Sequence, residues 1–154
     1  HFGAVITAVC STRNMEQSRS LGADRVIDYT KEDFTAGNRK YDLILAVNGN
    51  YPLLKCRKAL KPDGRYVLVG GALSQIFKAI VIGKPLSVGR KKILFLAAKT
   101  DTGDLNYLLD LAARGIIKPV IGKYFSAETT AEAMKYAAGG HSSGKVVIKW
   151  NPEG

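Results

Sequence analysis

Short apolar runs alternate with segments of helical period along the whole chain. Residues 4–9 (AVITAV) form a continuous, β-branched apolar run, which predicts a buried strand. Residues 15–21 have helix-forming composition and stop at Gly22. Residues 25–28 predict a second strand, and the polar stretch 30–40 is expected to hold one helical turn. Residues 42–47 (DLILAV) predict a third buried strand. Residues 53–60 read as a basic amphipathic helix closed by the turn Lys61-Pro62-Asp63-Gly64. A fourth strand, 66–69, runs into Gly70-Gly71, and a helix over 74–82 precedes a strand over 93–97. Leu105, Leu108, Leu109, Ala112 and Ala113 then recur at helical spacing, with Gly115 as the stop and Pro119 beyond. That stripe is expected to pack into the core. Thr129 and Glu132 form a capping box for a helix ended by Gly139-Gly140, and 145–150 (KVVIKW) predicts the last strand.

Strands that alternate with helices and are apolar throughout indicate a parallel sheet covered on both faces. The expected fold class is doubly wound α/β. Such sheets bind ligands at the carboxyl ends of their strands, so the residues just after each strand are the functional candidates. These are Cys10-Ser11-Thr12-Arg13, Asp28-Tyr29, Asn48-Gly49, Gly70-Gly71 and Ala97-Ala98-Lys99. Hydroxyls, a guanidinium, an aromatic ring and unencumbered glycines suit a nucleotide, whose phosphates want charge-assisted donors and whose base wants a flat apolar face.

The composition narrows the class. The chain has 154 residues, 46% hydrophobic and 23% charged, with a formal net charge of +10. The length suits one domain, at roughly 100 to 200 residues per domain, and the composition excludes a disordered chain. The longest weakly charged stretch, 67–77, is about half the roughly 20 residues of a membrane-spanning helix and holds Gly70-Gly71 and Ser74-Gln75. Residues 65–125 carry ten Lys/Arg against three Asp/Glu, so the basic excess lies in the middle of the chain, densest at Arg90-Lys91-Lys92. Long basic stripes or basic residues interleaved with stacking aromatics are missing, so a solvated surface with some attraction for small anions is expected, not a nucleic-acid partner. Cys10 and Cys56 lack metal-ligand spacing and read as buried small residues, and no metal site is expected. Read alone, Ser11 or Thr12 would cap the helix at Met15, Tyr29 would be a half-buried strand-end ring and Gly70-Gly71 a turn.

Four segments of the sequence go further. Ala8-Val9-Cys10-Ser11-Thr12-Arg13-Asn14 and then Leu21-Gly22-Ala23-Asp24-Arg25-Val26-Ile27-Asp28-Tyr29 resemble the Rossmann-like cofactor domain of the medium-chain dehydrogenase/reductase superfamily, in its zinc-free quinone-oxidoreductase-like branch. Lys118-Pro119-Val120-Ile121 and His141-Ser142-Ser143-Gly144-Lys145-Val146-Val147-Ile148 resemble that branch's C-terminal segments in the same order. The resemblance implies NADPH as cofactor. It places Ser11, Thr12 and Arg13 at the adenosine ribose and its 2′-phosphate, where an acid would instead favour NADH. It implies that Tyr29 helps close that phosphate pocket and that Val47 and Asn48 meet the adenosine and nicotinamide-ribose region. By the same resemblance Val69, Gly70 and Gly71 pass beside the nicotinamide, Ile93, Phe95 and Ala97 meet its carboxamide, and His141, Ser142 and Ser143 form a loop near the cofactor.

No G-x-G-x-x-G occurs in the chain, so the Gly-rich phosphate turn and first strand of such a domain are expected upstream of His1, together with an N-terminal catalytic domain. In the strand order 3-2-1-4-5-6 that loss would leave strands 2 and 4 about 9.6 Å apart at roughly 4.8 Å per spacing. The expectation is therefore an incomplete cofactor domain over 1–154, inactive alone, from an NADPH-dependent oxidoreductase that reduces a quinone, enone or other carbonyl-type acceptor. No residue present is assignable as a catalytic acid. Cytoplasmic residence is expected, and a possible homodimer through the strand over 93–97 is implied by the resemblance. A stand-alone nucleotide-binding or regulatory domain, or a methyltransferase-like domain, remain alternatives; the latter wants an acid where Ser11-Thr12-Arg13 stands.

Overall fold

The computed structural model describes residues 1–47, 51–70, 87, 89–97, 99, 101–140 and 142–150. Their elements follow in the order β1 (Thr7–Cys10), α1 (Met15–Ser20), β2 (Arg25–Asp28), β3 (Tyr41–Val47), α2 (Leu53–Ala59), β4 (Leu60–Val69), β5 (Lys92–Leu96), α3 (Thr102–Ala113), β6 (Ile121–Ser126), α4 (Thr130–Ala138) and β7 (Lys145–Lys149). A 3-10 turn over Thr12–Asn14 precedes α1. β3 with β4, β4 with β5 and β6 with β7 all pair in parallel, and the fold class is the doubly wound, Rossmann-like α/β expected. The expected helix over 74–82 lies outside the described residues. The chain divides into two compact units, His1–Val26 with Asp101–Gly154, and Ile27–Thr100.

In the first unit, β1 meets the start of β2 where the Ile6 carbonyl accepts from the Arg25 N–H at 3.1 Å. The Asp24 carboxylate accepts from the Ile6 N–H at 2.7 Å, so one short loop side chain fixes where the pair begins. β6, which the sequence pattern did not show, pairs with β7, and Lys145 N–H donates to the Val120 carbonyl at 2.7 Å. Gly144 makes that approach possible. Its φ is 136°, and a Cβ there would stand 2.6 Å from the Val120 oxygen.

Two expectations fail in this unit. The capping box does not form: Thr129 Oγ1 turns back to accept from Ser126 N–H at 3.1 Å, and Glu132 N–H bonds to the Thr129 carbonyl instead. The stripe on α3 is exposed, with Leu105 at 55%, Leu108 at 49% and Leu109 at 58%, whereas Leu111 is buried at 4%. The chain folds back beyond Gly115, where the Ile116 and Ile117 N–H groups bond to the Leu111 carbonyl.

In the second unit the sheet order is β3-β4-β5. Period-two alternation sorts its side chains. Ile44 pairs with Tyr66 and Tyr66 with Ile93, and one step on Ala46, Leu68 and Phe95 follow in register. This face packs with Cys56 and Leu60 into the core, with Phe34, Tyr51 and Leu53 around it. Burial pushes the Tyr66 phenol up to about 12 and the Cys56 thiol up to about 11. Leu43, Leu45, Val47, Leu94 and Leu96 lie on the opposite face and are exposed. Among the described residues of this unit, therefore, the buried side chains of the sheet lie on one face.

The turn at 61–64 is built into β4. Tyr41 faces Leu60, but Leu43 faces Arg65, so the intervening residues loop out with Asp63 at a φ of 64°. Gly64 is buried there with no room for a Cβ, which would stand 2.9 Å from the Lys61 carbonyl and 3.0 Å from that of Tyr41. Each side chain of the Arg90-Lys91-Lys92 run bonds to the protein itself. Arg90 grips both carboxylate oxygens of Asp63. Lys91 donates to the Arg57 carbonyl at 3.0 Å and Lys40 to that of Lys58 at 3.0 Å, so two ammonium groups cap the carboxyl end of α2. Partial burial, then Arg57 and Lys40 nearby, lower the Lys91 pKa. Lys92 reaches the Ser87 carbonyl at 3.4 Å.

Candidate functional site

In the first unit the loop after β1 carries Ser11, Thr12 and Arg13. Ser11 is extended at φ −76° and ψ 160°, and its carbonyl accepts from Asn14 N–H at 2.9 Å to close the 3-10 turn. Neither Ser11 at the head of that turn nor Asn14 at the head of α1 makes a side-chain cap, so the Ser11 hydroxyl is not committed to capping α1. Thr12 and Arg13 are exposed. The donor types here, a hydroxyl pair and a guanidinium with no acid in the loop, match a phosphate dianion.

α1 links this loop to a second one. Gln17 Nε2 reaches the Ser143 carbonyl at 3.4 Å, so Ser142 and Ser143 lie beside the helix that Ser11-Thr12-Arg13 leads into. Gly122 packs beneath the same loop, its absent Cβ 3.1 Å from the Ser143 oxygen. Cys10, half-buried at the end of β1, lies 3.6 Å from the Ser18 hydroxyl.

In the second unit the strand ends form a row. Val47 pairs with Val69 and Val69 with Leu96, with Gly70 at a φ of 66° and exposed Ala97 just beyond. Ile93 and Phe95 are not brought to that edge. Ile93 is 7% exposed, three residues back, and its N–H donates to Ser87 Oγ at 2.9 Å; Phe95 packs against the core. Tyr29 is 55% exposed beyond β2 rather than half-buried. Asn48, Gly71 and His141 lie outside the described residues.

Sequence reasoning missed a polar network in this unit. The stretch 30–40 holds turns, not a helical one. Asp33 Oδ1 accepts from Thr35 N–H at 2.9 Å and from Thr35 Oγ1 at 2.5 Å, and Lys55 donates to Oδ2 at 2.9 Å. Bonds from Thr35, Tyr51 and Lys55, in that order, hold the Asp33 carboxyl well below the usual range. Burial and the neighbouring Asp33 push Tyr51 up to about 12. The Phe34 ring lies 4.9 Å from that of Tyr51 and 6.0 Å from that of Tyr41. Among the described residues no group of three or more His, Cys, Asp or Glu side chains is arranged to hold a metal ion.

The sequence profile of a family described as zinc-binding dehydrogenase matches residues 21–148. The chain is 29% identical over 149 residues to the chloroplastic quinone-oxidoreductase QR1 of Triphysaria versicolor, covering 94% of this chain and 44% of that protein. It is 32% identical over 146 residues to the chloroplastic NADPH-dependent alkenal/one oxidoreductase of Arabidopsis thaliana, covering 93% of this chain and 33% of that protein. The fold is similar to that of the quinone oxidoreductase from Coxiella burnetii, with a TM-score of 0.77 at 23% identity over 97% of this chain and 46% of that one. The chain thus spans less than half the length of each of these proteins.

Proposed function

From the chain's membership of the zinc-binding dehydrogenase family, in the quinone-oxidoreductase-like part of the medium-chain dehydrogenase/reductase superfamily, we propose that it is the NADPH-binding part of an oxidoreductase acting on a quinone, an enone or another carbonyl-type acceptor. The observation that carries this reading is the loop after β1: Ser11 with its hydroxyl not spent on a cap, exposed Thr12 and exposed Arg13, with no carboxylate in the loop. Arg13 would hold the 2′-phosphate as a charge-assisted donor, with Ser11 and Thr12 supplying O–H groups to the same oxygens. Ser142 and Ser143, fixed beside α1, would contribute from the C-terminal loop. In the second unit, taken by itself, Tyr29 and the strand-end residues Val47, Val69 and Gly70 are the candidates for cofactor contact that the resemblance names. Bound NADPH supplies a hydride. The described residues' part is to bind and orient the cofactor, and none of them is assigned proton transfer to the acceptor.

The names of the relatives support the cofactor and the acceptor class, and those properties belong to proteins more than twice as long as this chain. The test is NADPH oxidation with a quinone or an enone, measured for the full-length protein and for the 154-residue chain. Turnover by the full-length protein and none by the chain alone is expected. Binding of S-adenosylmethionine in place of NADPH, or turnover by the chain alone, would contradict the proposal.

A further inference from the structure

Asp28 is the one buried charged residue among those described, at 6% exposure, and nothing in the reading above uses it. It ends β2 at the mouth of a tight turn. Its Oδ1 accepts from Thr30 N–H at 3.0 Å and from Thr30 Oγ1 at 2.7 Å, while its carbonyl accepts from Lys31 and Glu32 N–H groups at 3.0 and 2.9 Å. Lys31 Nζ stands 3.8 Å from Oδ2. Tyr29 is the residue enclosed between these anchors. With the residues on both sides of it pinned, the direction of its Cα–Cβ bond is set by the turn.

The chain repeats the device five residues later. Asp33-Phe34-Thr35 has the same Asp-aromatic-Thr order as Asp28-Tyr29-Thr30, and its carboxylate takes the same two bonds from its threonine. The outcomes differ. Phe34 packs against Tyr51 and the core, whereas Tyr29 stays 55% exposed. One turn therefore anchors the loop, and its twin holds a ring outward. Ordering an aromatic ring that stays more than half exposed costs conformational entropy, and a preset ring lowers the ordering cost when a flat ligand arrives.

We propose that Asp28 is a positioning residue: its carboxylate, through the turn it closes with Thr30, presets the Tyr29 ring for contact with the bound cofactor. This rests on the NADPH reading above.

The experiment uses the full-length protein with fluorotyrosine at position 29, observed by fluorine NMR, and NADPH as titrant. Asp28→Ala should shift or broaden the line of residue 29 and weaken NADPH by roughly tenfold. The Asp28→Ala/Tyr29→Ala double variant should bind no worse than Tyr29→Ala, since both changes remove one interaction. Asp28→Asn, whose amide oxygen still accepts both bonds, should rescue the line and most of the affinity. If Asp28→Ala does not fold, Thr30→Val, which deletes only the O–H donor, should move the line and the affinity in the same direction by less. An unmoved line with Tyr29→Ala weakened overturns the role of Asp28. A moved line with Tyr29→Ala binding NADPH like the unmodified protein overturns the proposal through the cofactor reading instead.

Discussion

Lys55 donates to Asp33 Oδ2 at 2.9 Å, joining the first turn of α2 to the loop that follows β2. Thr35 and Tyr51 bond the same carboxylate, and the Phe34 ring beside it packs against Tyr51. One ionised group thus holds the loop against the strand-end side of α2.

The sign of its pH dependence follows from the lowered pKa. A carboxyl depressed in the folded state adds stability that is fully present above its unfolded value, near 4, and is lost as pH falls through the folded value. Asp33→Asn should therefore lower the Tm most at neutral pH, and the difference from the unmodified protein should shrink on acidification below about pH 4. Thermal melts of both proteins from neutral to acid pH check this. A difference that stays constant across that range would show that the charge is not what matters.

The two faces of the β3-β4-β5 sheet should respond differently to truncation. Leu68 is 2% exposed and Leu45 is 57% exposed. Leu68→Ala should cost about 2–5 kcal/mol by leaving a cavity, and Leu45→Ala under about 1 kcal/mol. Equal losses in denaturant titrations would mean that the Leu45 face is as tightly packed as the core.

Gly144→Ala should displace the Ser142-Ser143 loop, because its Cβ would fall 2.6 Å from the Val120 oxygen at a φ of 136°. Hydrogen exchange at the Lys145 amide, now bonded to Val120 at 2.7 Å, should accelerate by at least about tenfold. An unchanged rate would show that the loop accommodates a side chain.

The basic run offers a contrast. Lys91→Met removes the cap on the Arg57 carbonyl and should cost about 1 kcal/mol, only partly reduced by salt because the contact is partly buried. Arg90→Ala breaks a pair whose members are 75% and 61% exposed, and its effect on Tm should be small and vanish at high salt. The reverse order in melts at low and high salt would remove the capping role.

Local pattern carried much of this structure. Arg25–Asp28 is a strand with the bounds its sequence predicts, and Gly22 and Gly115 stop α1 and α3 at positive φ as their placement implies. Strand ends were legible too, because apolar runs stop where the sheet stops, which set Val47, Val69 and Gly70 at one edge. β6 escaped because Gly122 and Lys123 interrupt its apolar residues and its pairing depends on β7, more than twenty residues away in sequence. The buried place of Ile93, three residues back from the Leu96 end of its strand, was not legible, because an apolar run shows that a strand exists without showing which of its residues lies at the rim. The Asp33 network joins Lys55 across 22 residues, a meeting that only the tertiary fold creates. Its one sequence trace was the repeated Asp-aromatic-Thr order.

The central claim, that the loop after β1 receives the 2′-phosphate of NADPH, is tested most directly by titrating the full-length protein and its Arg13→Ala variant with NADPH and with NADH. Because the two cofactors differ only in that phosphate, the variant should lose on the order of tenfold or more for NADPH and under about twofold for NADH. Equal losses for both cofactors, or none for either, would contradict the account.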